Sequence, residues 1–272
     1  MLSVIVCSIS PDNLNELSKN IKETAGVPVE IIGIDNRELK WPISKVYNHA
    51  ASQARYENLL FVHEDVLFHS RDWGKVIIEK LSDPQCGVIG FAGSKVMRKV
   101  YSGWYQSSHW QCMMFYQGAP GMQTRYLVRG VTLENKFEEV VTLDGMAMFM
   151  RKNLWDSYHF DEENLKGFHC YDVDLTLSVA SDGLYRNYVC ATPEVLVEHR
   201  SMGNFAESWF DETINMFHLK WKQKLPLHVE GYNLKSVRRR ERKARSFFLK
   251  NAFKCAYKHR WRLLLEYLFP LK

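Results

Sequence analysis

The chain has 272 residues, 36 Lys plus Arg against 31 Asp plus Glu, and 46% apolar residues. That balance excludes disordered, fibrous and collagen-like classes and leaves room for one large α/β domain or two smaller ones. The net charge of +5 is unevenly spread: 12 of the basic and 2 of the acidic residues fall in 237–272, a local +10, which leaves 24 against 29, or −5, for residues 1–236.

The longest apolar run, Trp261 to Phe269, is interrupted by Arg262 and Glu266 and is far shorter than the roughly 18–20 residues of a membrane span. The N-terminus, MLSVIVCSIS, has no basic region before its apolar stretch, so the expectation is a cytoplasmic protein without a secretory signal. The six cysteines lack CxxC or zinc-ligand spacing, as reduced structural thiols do.

Leu2 to Ile9 is nearly continuous in apolar residues, the pattern of a strand buried on both faces. Ser10-Pro11 then supplies an N-cap and a first-turn proline for a helix with Leu14, Leu17 and Ile21 at helical spacing and a stop at Gly26. Val29 to Ile34 predicts a second strand, Ser44 to Ala54 a helix, Leu59 to Val62 a third strand, Asp72 to Leu81 a helix and Gly87 to Phe91 a fourth strand. This βαβαβαβ order predicts a single, mostly parallel central sheet flanked by helices. From Gly93 to Glu139 the alternation stops in a stretch rich in aromatics, among them Trp104, Tyr105, Trp110, Phe115 and Tyr116, either a substrate region or an irregular insertion. A strand within Val140 to Met150, a helix over Tyr171 to Ser181, short strands at Tyr188 to Cys190 and Val195 to Val197, and a helix around Phe205 to Trp221 complete the body.

The first turn, Ser8-Ile9-Ser10-Pro11-Asp12, has no GxGxxG, and the chain has no GxxxxGK[ST]. Dinucleotide-binding and P-loop architectures are excluded, because nothing forms their phosphate cradle. Phosphate binding here needs another device, and a divalent metal is the natural one. The third strand runs into His63-Glu64-Asp65 at its C-terminal edge, where open α/β sheets bind ligands; loop residues capping the next helix are the alternative. A second cluster, Phe160-Asp161-Glu162-Glu163 and Tyr171-Asp172-Val173-Asp174, lies near a helix N-terminus where carboxylates also serve as caps. Val197-Glu198-His199 delivers a single histidine from a strand.

Taken in order, Asp35-Asn36, Tyr47-Asn48, His63-Glu64-Asp65, Leu143-Asp144-Gly145, Asp161-Glu162, Tyr171-Asp172-Val173-Asp174 and Val197-Glu198-His199 resemble the family 2 glycosyltransferases of the GT-A fold. The likeness covers residues 1–222 and is greatest to a subgroup whose metal motif reads HED in place of DxD. It implies an inverting transferase that moves a sugar from a nucleotide-sugar donor to an acceptor hydroxyl with Mn2+ or Mg2+. The implied context is cell-surface polysaccharide or glycolipid synthesis. The resemblance implies that Asp65 and His199, with His63 in place of the first DxD acid, hold the metal. It implies that Asp35 contacts the base or ribose, with Ser8, Ser10, Asn36, Asn48 and Glu64 around the donor. Asp144 matches an acid facing the donor sugar or acceptor, and Asp172 the catalytic base. Tyr171 stands where the family has Glu, and Asp174 is the alternative base or a structural hydrogen-bond acceptor. Two other readings stay open: a nucleotidyltransferase, and a sugar-nucleotide-binding protein without turnover.

Residues 223–235 read as a linker and 236–272 as a basic amphipathic helical tail, with Ala244, Phe248, Ala252 and Cys255 at helical spacing. An anionic membrane surface is the favoured partner, giving a peripheral location at the inner face and access to a saccharide or lipid-linked saccharide acceptor. A solvated charge run beside an oligomerisation helix, which would make a homo-oligomer, is the alternative, and nucleic acid is disfavoured.

Overall fold

A computed structural model describes residues 1–99, 103–104, 109–119, 121–132, 134–201, 209, 212–213 and 216–232. The basic tail, Tyr105 and about half of the helix expected at Phe205 to Trp221 lie outside these residues; the described part of that helix ends in a π-helical turn at Phe217–Trp221.

The first half follows the expected alternation: β1 (Leu2–Ser8), α1 (Pro11–Thr24), β2 (Val29–Asp35), a short α2 (Asn36–Leu39), α3 (Ile43–Ser52), β3 (Asn58–His63), β4 (Val66–Phe68), α4 (Trp73–Leu81) and β5 (Cys86–Gly90). The Ser10 side chain caps α1 by accepting from the Asn13 N–H, and Leu17 and Ile21 turn into the core. Then come β6 (Ala92–Ser94), β7 (Val96–Met97), β8 (Gln111–Gln117), β9 (Arg125–Arg129), β10 (Phe137–Val140), β11 (Thr142–Leu143), β12 (Ala147–Arg151), α5 (Lys152–Ser157), α6 (Tyr171–Ser181), β13 (Arg186–Cys190), β14 (Val197–His199) and β15 (Leu227–His228).

Among the described residues, the central sheet has seven strands in the order β10-β13-β5-β12-β3-β1-β2. Five of them run in one direction, while β12 is antiparallel to both β3 and β5, and β10 is antiparallel to β13. The α/β class with a mostly parallel central sheet is as expected. The reversal of β12 is not, because an apolar run such as Ala147 to Met150 carries no direction. The sheet is covered on both faces, which is why its strands read as apolar runs. Val4, Val6, Leu60 and Val62 pack with Leu17, Ile21, Trp73 and Ile77 on one side, and Ile5, Leu59 and Phe61 pack with Tyr47, Ala50, Leu175 and Val179 on the other.

The stretch without periodicity supplies β8 and β9 and most of β6 to a second sheet, β11-β6-β8-β14-β4, with β9 on the outside of β8. Its aromatics divide: Trp110 is buried, and Tyr116 stacks on Tyr126. In the stretch expected as a linker, Leu225 and Val229 are buried and β15 pairs with β7. Those residues pack as part of the body.

Candidate active site

Sheet register assembles the site. Because β1 is parallel to both β2 and β3, Cys7 lies opposite His63 and Ser8 opposite Asp35, so three strands end together. The antiparallel β12 then delivers its preceding turn, Asp144-Gly145-Met146, to the same edge, where the His63 N–H donates to the Met146 carbonyl at 2.9 Å. The second sheet supplies the last component: β14 runs antiparallel to β4 with His199 opposite Val66, and the Arg200 N–H donates to the Asp65 carbonyl at 2.9 Å. The result is a cleft of about 580 Å3, within the range of small-molecule sites.

His63, Asp65 and His199 line this cleft, and one ligand atom from each lies within 4.8 Å of the other two. Asp65 Oδ1 and His199 Nε2 are 3.5 Å apart, buried, and have no hydrogen-bond partner among the described residues. Buried polar atoms are normally satisfied; two unpartnered polar atoms, both of types that ligate metals, converging with a second imidazole fit a divalent cation. Burial, reinforced by the neighbouring His199, pushes the His63 imidazole down to about 4, so it is neutral at neutral pH, the form a metal requires.

Asp144, Gly145, Tyr171 and Asp172 line the same cleft. Asp172 sits in the first turn of α6, where the helix dipole favours a carboxylate, behind Cys170 in the left-handed region at φ 66°. Its Oδ2 accepts from the Gly145 N–H and its Oδ1 from the Val173 N–H, both at 2.8 Å. Burial, and after it the charge of Asp144, raise the Asp172 carboxyl to about 7 against the pull of those N–H groups. Asp144 accepts from the Met146 N–H at 2.9 Å and from the Trp104 indole N–H at 2.7 Å. Gly145 is obligatory, because a Cβ there would collide with the Tyr171 hydroxyl.

The residues expected around the donor divide. Glu64 lines the cleft but its Oε2 accepts from the Ser8 hydroxyl at 2.5 Å and from the Ile9 and Ser10 N–H groups at 3.1 and 3.0 Å. It clamps the first loop to the metal turn. Asn36 also lines the cleft, with its amide closed on the Trp41 backbone. Asp35 is exposed and paired with Arg37 at 2.6 Å, whose guanidinium holds its carboxyl at about 2. Asn48 stands apart: its amide bonds the Phe160 backbone and the Trp155 indole, bracing α3 against the 155–160 segment.

Asp174, two residues beyond Asp172, faces away from the cleft. It is 2% exposed, accepts from the Trp221 indole at 2.8 Å and from Lys220 at 2.6 Å, and so anchors the π-helical turn on α6. Its hydrogen bonds are those of the structural alternative, and it is not among the residues that line the cleft. Asp174→Ala leaves the Trp221 N–H unsatisfied and removes one of the two carboxylates that hold Lys220, the other being Asp161 at 2.9 Å, and is expected to cost about 1–3 kcal/mol of stability. Urea unfolding checks this, and an unchanged midpoint would contradict the anchor.

Sequence reasoning missed Tyr171 as a contact of His63, at 2.6 Å, and Phe168, a half-exposed ring in the cleft wall 5.6 Å from the His63 ring. Adjacency to Asp172 was the available signal for the first. For the second, an exposed aromatic beside a polar motif had no local signature.

The sequence profile of a glycosyltransferase-like family matches residues 3–220. No curated protein matches the chain in sequence. Among solved structures, GalNAc-T7 with UDP, GalNAc and Mn2+ superimposes with a TM-score of 0.55 at 9% identity, over 82% of this chain and 49% of that one. The chain thus spans about half the length of that neighbour. The 1–349 fragment of S. aureus TarS in complex with UDP gives a TM-score of 0.50 at 16% identity, over 82% of this chain and 68% of that one. At such identities the likeness carries the fold, which is the GT-A fold. With profile and fold in agreement, the chain belongs to the glycosyltransferase-like family.

Proposed function

We propose that the protein is a metal-dependent inverting glycosyltransferase that moves a sugar from a nucleotide-sugar to an acceptor hydroxyl on a saccharide or lipid-linked saccharide. The observation that supports this best is the meeting, in one cleft, of a ligand-ready His63-Asp65-His199 triad and an Asp172 carboxylate near neutrality. Two imidazoles and one carboxylate favour Mn2+ over Mg2+, which prefers oxygen ligands. When bound, such a cation supplies neutralisation of the charge that gathers on the departing diphosphate. Asp172 accepts the proton of the attacking hydroxyl, its carboxylate held by two N–H groups with lone pairs to spare. Asp144, fixed by Trp104 and Met146, orients the sugar or acceptor. Asn36 and Glu64 line what we assign as the donor side of the cleft, with Ser8 and Ser10 tied to Glu64 beside it and Asp35 at the end of the neighbouring strand.

UDP is the first nucleotide to test, being bound in both neighbours, one of which also holds GalNAc and Mn2+. UDP with Mn2+ is expected to raise the melting temperature, and UDP with chelator to leave it unchanged; at 100 times Kd the gain is about 2.7 kcal/mol. Release of nucleoside diphosphate during turnover supports the transferase, and release of pyrophosphate would replace it with a nucleotidyltransferase.

A further inference from the structure

We infer that Tyr171 is a positioning residue that sets the His63 imidazole as the Nε2–H tautomer and so leaves Nδ1 bare for the cation; this rests on the metal site proposed above. The Tyr171 hydroxyl contacts His63 Nε2 at 2.6 Å and the Gly145 carbonyl at 3.3 Å, and the Tyr47 hydroxyl, which can act as a second donor to the Tyr171 oxygen, lies beside it. A carbonyl oxygen only accepts, and a tyrosine hydroxyl carries a single proton. Both bonds form together in one arrangement: Tyr171 donates to Gly145, and His63 Nε2–H donates to Tyr171. A neutral imidazole with its proton on Nε2 has its lone pair on Nδ1.

The chain of bonds continues past Gly145. Its N–H donates to Asp172 Oδ2 at 2.8 Å, so one peptide turn connects the histidine of the metal triad to the carboxylate assigned as base. The local sequence is built for this. Gly145 has no Cβ, which lets the Tyr171 hydroxyl reach its carbonyl, and the Tyr171 ring is wedged among Tyr47 and Phe160 with centroids 5.6 and 5.9 Å away. A buried ring held on those sides has little rotational freedom, which fixes the hydroxyl against His63.

The test is Tyr171→Phe, which keeps the ring and removes the hydroxyl. Titration of metal-free protein with Mn2+ alone, followed by the electron paramagnetic resonance of free Mn2+, is expected to show affinity 10–100-fold weaker in the variant. The 15N shifts of His63 in metal-free protein are expected to report the Nε2–H tautomer in the wild type and a mixture in the variant, a change that mere loss of packing would not produce. Unchanged Mn2+ affinity in a folded variant, or a wild-type His63 protonated on Nδ1, overturns the inference. A wild type that binds no Mn2+ overturns the metal reading itself, and the tautomer of His63 is still read independently.

Discussion

Asp172→Asn is expected to lower kcat by about 10²–10⁴-fold, the span that a positioned general base contributes, while leaving donor binding within a few-fold. The substitution preserves size and removes the charge and the capacity to take a proton, while its single oxygen can accept from only one of the Gly145 and Val173 N–H groups that hold the two carboxylate oxygens. Because the Asp172 carboxyl is raised to about 7 by burial and by Asp144, the active, ionised form is depleted as the pH falls through that value, so kcat/KM declines on the acid side of neutrality. Asp144→Asn removes the like charge, and the acid limb is expected to move to lower pH by on the order of one unit. Stability runs the opposite way from activity. A carboxyl raised in the folded state contributes fully below its unfolded value and loses that contribution as the pH rises through about 7. The melting temperature of Asp172→Asn relative to wild type should therefore be more favourable at pH 8 than at pH 5. A loss of less than tenfold, or a melting difference independent of pH, would move the base elsewhere.

Asp172 and Asp174 show where sequence reading stops. Both stand in the first turn of one helix, and their spacing assigns neither to the cleft. What separates them is Lys220 and Trp221, 46 and 47 residues further on, which occupy Asp174. The parallel strands, α1, α4 and α6 were readable because burial on both faces, a capping serine and helical spacing are local properties. The direction of β12 and the second sheet were not readable, since pairing across tens of residues leaves no periodic trace. The metal triad was half visible: His63 and Asp65 are two residues apart in sequence, while His199 depends on the register of β14 against β4. Asn48 shows the converse, a polar side chain in a motif position whose hydrogen bonds among the described residues go to the 155–160 segment.

Asp65→Asn and His199→Ala are expected each to abolish Mn2+-dependent stabilisation and to lower kcat by about 10³-fold or more, if the triad supplies the charge that meets the leaving diphosphate. Residues that serve one ion act as a unit, so the double variant should be little worse than either single one. In metal-free buffer the same variants should lose little stability. Asp65 Oδ1 and His199 Nε2 make no hydrogen bond among the described residues and face each other only at 3.5 Å, and polar atoms buried without hydrogen bonds are a liability to the metal-free fold. The contrast between an unharmed metal-free protein and a lost response to Mn2+ separates a ligand from a structural residue. Melting curves with chelator and with Mn2+ measure both, and a variant that keeps the Mn2+ response would remove that residue from the metal shell.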